Sequence, residues 1–192
     1  MTGRTHDLAA ITALGITFLV LSPANISLAT AILAILANLI GGITPDIDQP
    51  TAPLWRNLPV GRYFGKLFGI LSGGHRFLTH SFIGVALLGW LFWLLLNFLH
   101  PVLGSVNVVI VWWAFLIGVL SHLLFDLFTK EGVPLLLPIP IKFGFPPIKA
   151  LRITTGKFIE SFIVFPGLLV ANLLIYMAHY GQLLTLIHSF RA

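Results

Sequence analysis

Residues 118–131, GVLSHLLFDLFTKE, close an apolar run that starts at Val106, and the fold is read outward from them. The run 106–128 is long enough for a helix across a hydrocarbon layer, which takes about 20 residues. Near its end stand His122 and Asp126, one helical turn apart and therefore on one face. An imidazole and a carboxylate so placed can grip one divalent cation, and ionisable residues in a lipid-spanning segment need a partner or a function. The plainer alternative pairs Asp126 with Lys130 at the next i, i+4 step and leaves His122 to a hydrogen bond inside a bundle.

The rest of the chain shares this apolar character. Of 192 residues, 57% are hydrophobic and 9% charged, and the mean hydropathy is +0.98, far from the roughly 25% charged content of soluble domains. The fold class expected is an all-α, polytopic membrane helical bundle forming a single integral membrane domain over 1–192. Apolar runs at 8–21, 26–43, 82–99, 106–128 and 158–178 give about five transmembrane helices, with two long connectors at 44–81 and 129–157. The first run is short and ends at Ser22-Pro23, which leaves open whether the first two runs span fully or form a tight helical hairpin. The start of the chain, with Arg4, His6 and Asp7 before a run that lacks a small-residue cleavage pattern, is not expected to be a cleaved leader. Cysteine is absent, which excludes disulfides and thiolate metal ligands.

Charge sets the expected orientation. The first connector carries Arg56, Arg62, Lys66 and Arg76, and the second carries Lys130, Lys142, Lys149, Arg152 and Lys157. The short loops 22–25 and 100–105 carry neither Lys nor Arg. An excess of Lys and Arg marks the cytoplasmic side, so both connectors and the N-terminus are expected there and the C-terminus outside. The net charge of +5 is accounted for by these flanking residues, and no nucleic acid partner is expected.

That topology sorts every acid and histidine to one end of the bundle or the other. His6 and Asp7 precede the first span, Asp46 and Asp48 follow the second, His75 and His80 precede the third, His122 and Asp126 end the fourth, and Glu160 begins the fifth. With Glu131, all six acids and four of the seven histidines fall at the cytoplasmic end. Pro45 stops the preceding helix, and in an extended Thr44–Asp48 segment Asp46 and Asp48 would point to one side; the alternative is a solvated turn. His75 is expected in a loop that folds back toward His80 on the first turn of its span. The alternatives are two unrelated interfacial histidines, an N-terminal histidine beside a capping Thr5 or Asp7, and a Glu160 that serves only the helix dipole.

Oxygen and nitrogen donors without thiolate suit Zn²⁺, Mn²⁺ or Fe²⁺. About eight candidates exceed the four ligands of a simple zinc site, which argues for two or more ions, or for one ion with many supporting groups, so that one to three ions are expected. Carboxylate-bridged two-metal sites split phosphate esters. Arg76, between His75 and His80, is the candidate for an anionic substrate group; Lys142, Lys149, Arg152 and Lys157 are already demanded by topology.

The motifs GGITPDIDQP, GHRFLTH and SHLLFDLFTKEGVPLLLP, followed by a Glu after Gly-Lys, resemble the YdjM family of bacterial inner-membrane proteins over nearly the whole chain. That family is described as membrane-bound metal-dependent hydrolases. The resemblance implies that His6, Asp46, Asp48, His75, Arg76, His80, His122, Asp126 and Glu160 belong to one site in a bacterial inner membrane. A weaker likeness is to the zinc phospholipase C and P1 nuclease class, whose N-terminal tryptophan ligand and second downstream histidine pair are missing here.

The expectation is therefore a membrane enzyme that hydrolyses an ester, foremost a phosphoester of a lipid or lipid-linked substrate. His6, Asp46, Asp48, His75, His80, His122, Asp126 and Glu160 would hold metal, most simply zinc. Asp48 or Glu160 would act as general base and Arg76 would bind the anionic group. Rival expectations are a metal or ion transporter, disfavoured by a polar-poor outer half, and a regulatory membrane protein with a structural metal.

Overall fold

Where no water is present to satisfy backbone N–H and C=O groups, a single apolar segment is stable only as a helix, and the long apolar runs of this chain all take that form. The computed structural model describes residues 1–21, 26–52, 55, 58–71, 73, 76–139 and 141–189, save the side chains of 186, 188 and 189. In order these form α1 (Gly3–Leu21), α2 (Leu28–Ile43), a 3₁₀ turn (Thr44–Asp48), α3 (Gly61–Leu71), α4 (Phe82–Leu103), α5 (Val108–Leu127), a π-helical turn (Glu160–Val164), α6 (Phe165–Ala178) and α7 (Tyr180–Ser189). Among the described residues, five segments are long and apolar enough to cross a membrane: Gly3–Leu21, Leu28–Asp48, Phe82–Leu103, Val108–Leu127 and Glu160–Ala178.

Side chains just ahead of α2, α4 and α5 fix where those helices start. Ser27 and Ser81 accept the backbone N–H groups of Thr30 and Gly84 at 3.2 and 3.0 Å. Asn107 accepts from Val109 and Ile110. These are N-caps, which satisfy donors that a helix cannot pair internally.

Helix α5 is the central element, with half of its apolar window buried against none for the last span. Its Val111, Phe115, Val119 and Leu123 form the core together with Ala37 of α2 and Leu96 of α4. Lipid tails are as apolar as these side chains, so close backbone approach and interhelical hydrogen bonds must supply the association. A Cβ on Gly118 would lie 2.1 Å from the Asn38 carbonyl oxygen, and one on Gly41 would lie 2.1 Å from that of Phe115. The Asn38 amide donates to the Ala114 carbonyl at 3.0 Å across the same seam. Trp112 Nε1 donates to the Gly89 carbonyl at 2.7 Å between α5 and α4, and Asn172 donates to Thr12 at 2.6 Å between α6 and α1.

Three local expectations change. Helix α1 begins at Gly3 rather than at Leu8, so His6 and Asp7 lie within its first turns instead of ahead of it. The first two runs are both full helices and not a shortened hairpin. His80 is not on the first turn of α4; Ser81 is the N-cap and His80 stands in the turn before it. In the second connector, Val133 and Phe143 exchange backbone hydrogen bonds at 2.8 Å each, which folds the intervening chain back on itself. The Phe82 N–H donates to the Leu135 carbonyl at 3.0 Å and ties this loop to the start of α4.

Candidate metal centre

The ends of four elements meet at one end of the bundle. Helix α1 brings His6 and helix α5 brings His122 and Asp126, while the turn after α2 brings Asp46 and the turn before α4 brings His80. Among the described residues two groups result, each with ligand atoms all within 4.8 Å of one another: His6, His122 and Asp126, and Asp46, His80 and His122. His6, His80, His122 and Asp126 are fully buried; Asp46 is partly exposed.

Hydrogen bonds orient the rings. His122 Nδ1 lies 2.7 Å from the Gly42 carbonyl oxygen, and since a carbonyl can only accept, Nδ1 carries the proton and Nε2 presents a lone pair. That Nε2 has no hydrogen-bond partner and lies 3.7 Å from both Asp46 Oδ1 and Asp126 Oδ2. A similar argument fixes His80. The Thr79 hydroxyl donates its one proton to Asp48 Oδ2 at 2.7 Å, so the 2.9 Å contact with His80 Nδ1 has the imidazole as donor. Its Nε2 then faces Asp126 Oδ2 at 3.6 Å and Asp46 Oδ1 at 3.8 Å. Burial holds the His80 pKa below its ordinary value, outweighing the neighbouring Asp126 and Asp46 carboxylates, which act in the opposite direction. His6 stacks on His122 with ring centroids 3.7 Å apart, and its Nε2 lies 3.3 Å from Asp126 Oδ1.

The His80 and His122 imidazoles, each with Nδ1 tied to an acceptor, and the unpartnered His122 Nε2 beside two carboxylates form a set that could hold a metal ion. Positive charge is drawn to the same place from the protein itself. Asp126 accepts from the amino group of Met1, and its Oδ2 lies 2.6 Å from the Arg76 guanidinium.

The remaining candidates sit differently. Asp48 does not share a side with Asp46, because the segment is a 3₁₀ turn and not extended; at three residues per turn, positions two apart diverge. Its Oδ2 accepts the Arg76 backbone N–H at 2.8 Å and the Thr79 hydroxyl. Glu160 lies outside both groups and holds the start of the chain: Oε1 accepts from the Thr2 backbone, the Thr2 hydroxyl and the Thr5 hydroxyl at 2.6–2.7 Å, and Oε2 from the Gly156 N–H at 2.7 Å. Arg76 is buried, and its guanidinium reaches Asp126, the Thr129 hydroxyl at 3.2 Å and the Gly132 carbonyl at 3.4 Å. His75 lies outside the described residues. Asp126 is ion-paired with Arg76 and with the Met1 amino group, and Lys130 is exposed.

Thr79 and the Gly42 carbonyl were not among the sequence candidates. The signal that could have pointed to the second is the Gly41-Gly42 pair at a helix end, since small residues allow close backbone approach. Thr79, adjacent to a histidine, gave no signal of its own, because a threonine before a helix reads equally as a cap.

The architecture and the cluster define an all-α integral membrane protein with a buried histidine–carboxylate centre. The chain belongs to the YdjM inner membrane protein family, whose model matches residues 1–188. It is 29% identical over 147 residues to YvsG of Bacillus subtilis (strain 168), described as an uncharacterized protein, a match that covers 75% of this chain and 79% of that one. To the inner membrane protein YdjM of Escherichia coli (strain K12) it is 32% identical over 128 residues, covering 63% of this chain and 56% of the relative, and the Shigella flexneri protein gives the same values. The chain thus spans little more than half the length of those two relatives. No solved structure matches.

Proposed function

We propose that this chain is a membrane-embedded, metal-dependent hydrolase acting on a phosphoester of a lipid or lipid-linked substrate at the cytoplasmic membrane face. The observation that carries the proposal is the His122 ring, whose Nδ1–H is fixed by Gly42 and whose Nε2 points without a hydrogen-bond partner between Asp46 and Asp126. His6, His80, His122, Asp46 and Asp126 would hold one or two divalent cations, zinc foremost. A cation there would supply Lewis acidity toward an ester oxygen and would acidify water.

The protein groups then divide the work by exposure. Asp46, the partly exposed carboxylate of the set, is the group placed to take a proton from incoming water. Glu160 and Asp48, the general bases expected from sequence, have carboxylates occupied by structural donors and are assigned to holding the scaffold. Arg76 is engaged by Asp126 rather than free to receive substrate, so the anionic group would be met by Lys142, Lys149 and Lys157 in the second of the two basic connectors. The concentration of Lys and Arg in those connectors supports a cytoplasmic site.

A second reading, a structural metal in a regulatory membrane protein, is favoured by the complete burial of His6, His80, His122 and Asp126. The test is to purify the protein in detergent, measure metal per chain, and assay phospholipids and soluble phosphoesters with and without chelator. Bound metal with chelator-sensitive hydrolysis is expected. Bound metal without hydrolysis of any ester would leave the structural reading, and retention of full metal by His122→Ala would refute the site.

A further inference from the structure

Helix α3 is the one described helix whose polar and apolar residues separate into distinct sectors, and no part of the proposed function uses it. At roughly 100° per residue, Gly61, Gly65 and Gly69 form one narrow sector, Arg62 and Lys66 the next, and Tyr63, Phe64, Leu67, Ile70 and Leu71 a broad third. The glycine sector is the buried one. A Cβ at Gly61 would lie 2.2 Å from the Trp55 carbonyl oxygen, one at Gly65 2.8 Å from Pro50 Cα, and one at Gly69 2.6 Å from the Asp48 carbonyl oxygen. The helix is therefore pressed, backbone to backbone, along the segment that follows α2, and the glycines exist to allow that contact.

Packing through glycine leaves the large side chains outside. Tyr63, Phe64, Leu67, Ile70 and Leu71 are each more than half exposed, up to 76% at Tyr63. A soluble surface does not carry such an arc without a partner. Arg62 and Lys66 are also exposed, and the helix contains no acidic residue. Position supplies the remaining argument. Gly69 is held against Asp48, the last residue of the second spanning segment, so α3 sits at the depth where that segment leaves the apolar layer.

We propose that α3 is an in-plane helix that docks on the anionic leaflet of the membrane, its Phe64–Leu67–Leu71 arc among the acyl chains and Arg62 and Lys66 on phosphate headgroups. Apolar arc, flanking cations and interfacial depth are the three requirements for such a helix. The headgroup chemistry is that of an anionic phospholipid, since cations near a negatively charged leaflet each contribute about 1 kcal/mol.

The absence of cysteine from the chain makes single-site labelling direct. Leu67→Cys, carrying an environment-sensitive dye, would be reconstituted in nanodiscs of phosphatidylcholine with and without phosphatidylglycerol. With phosphatidylglycerol the dye is expected to emit in the blue, to be quenched by chain-brominated lipid and to resist aqueous iodide. Arg62→Gln with Lys66→Gln should lower the docked-to-undocked ratio by about thirtyfold, the equivalent of two cations at that value. Iodide quenching as strong as for free dye, in both lipids, would overturn the proposal. So would protection that is independent of lipid charge and rises with protein concentration, which would place a second copy of the chain on this face. None of these outcomes depends on bound metal, so a failure here is distinct from a failure of the hydrolase proposal.

Discussion

Replacing Thr79 by valine probes the candidate metal centre without touching a candidate ligand. The Thr79 hydroxyl joins Asp48 to His80, donating at 2.7 Å to one and accepting at 2.9 Å from the other. Valine keeps the shape and removes both bonds. Asp48 retains the Arg76 backbone N–H at 2.8 Å, so its loop is expected to stay in place. His80 instead loses the acceptor that fixes its tautomer, and Nε2 no longer holds its lone pair toward Asp46 and Asp126. Loss of such an outer partner typically costs 10–100-fold in metal affinity, about 1.4–2.7 kcal/mol. The assay is competition against a chromophoric chelator in detergent at constant pH, with Thr79→Ser as the variant that restores the hydroxyl. Valine within twofold of the unaltered protein, or serine as weak as valine, would refute the assignment of His80 as a ligand oriented through Thr79.

Three further outcomes follow from the same geometry. Gly118→Ala places a methyl group against the Asn38 carbonyl and should lower the thermal midpoint by forcing α2 from α5; Gly15→Ala, with nothing within 4 Å of its Cβ, should not. Glu160→Gln removes the charge from a carboxylate that four donors share, and should lower the thermal midpoint while metal per chain stays constant; lost metal at an unchanged midpoint would make Glu160 a ligand after all. Because burial depresses the folded-state pKa of His80, its neutral form is complete above the unfolded value of about 6.5 and is lost only as pH falls below it. Metal affinity should accordingly be flat from about pH 8 to 6.5 and decline at lower pH; a midpoint above 7 in the titration would contradict this.

The spanning helices were legible because hydropathy over twenty residues leaves few alternatives, whereas Gly61–Leu71 was hidden inside a connector; the His122–Asp126 face was legible because an α-helix fixes what lies four residues away. The gathering of His6, Asp46, His80 and Asp126 at one end also followed from topology alone. What did not follow was direction. Asp46 and Asp48 have the same chemistry two residues apart, and only the 3₁₀ winding of Thr44–Asp48 sends one to the histidines and the other to Thr79. Glu160 was grouped with the ligands because an acid at a span end looks alike whether it faces a cation or four hydrogen-bond donors. The register of α1 was misplaced because Gly3–Asp7 is polar, and polarity at a helix start hides its first turns.

His122 belongs to both groups of candidate ligands, yet with Nδ1 committed to Gly42 it has one lone pair to give. One lone pair serves one ion, so the two groups are alternative seats unless a carboxylate bridges them. Asp46 marks the outer seat, being the member of the two groups that is not fully buried, at 24% exposure. The same imidazole would therefore hold a cation in either seat, with Asp46 and His80 beside it on the open side and His6 and Asp126 on the enclosed one. Which seat is filled would decide how fast a chelator removes the ion, since Asp46 leaves the outer one within reach of solvent and the inner one is closed.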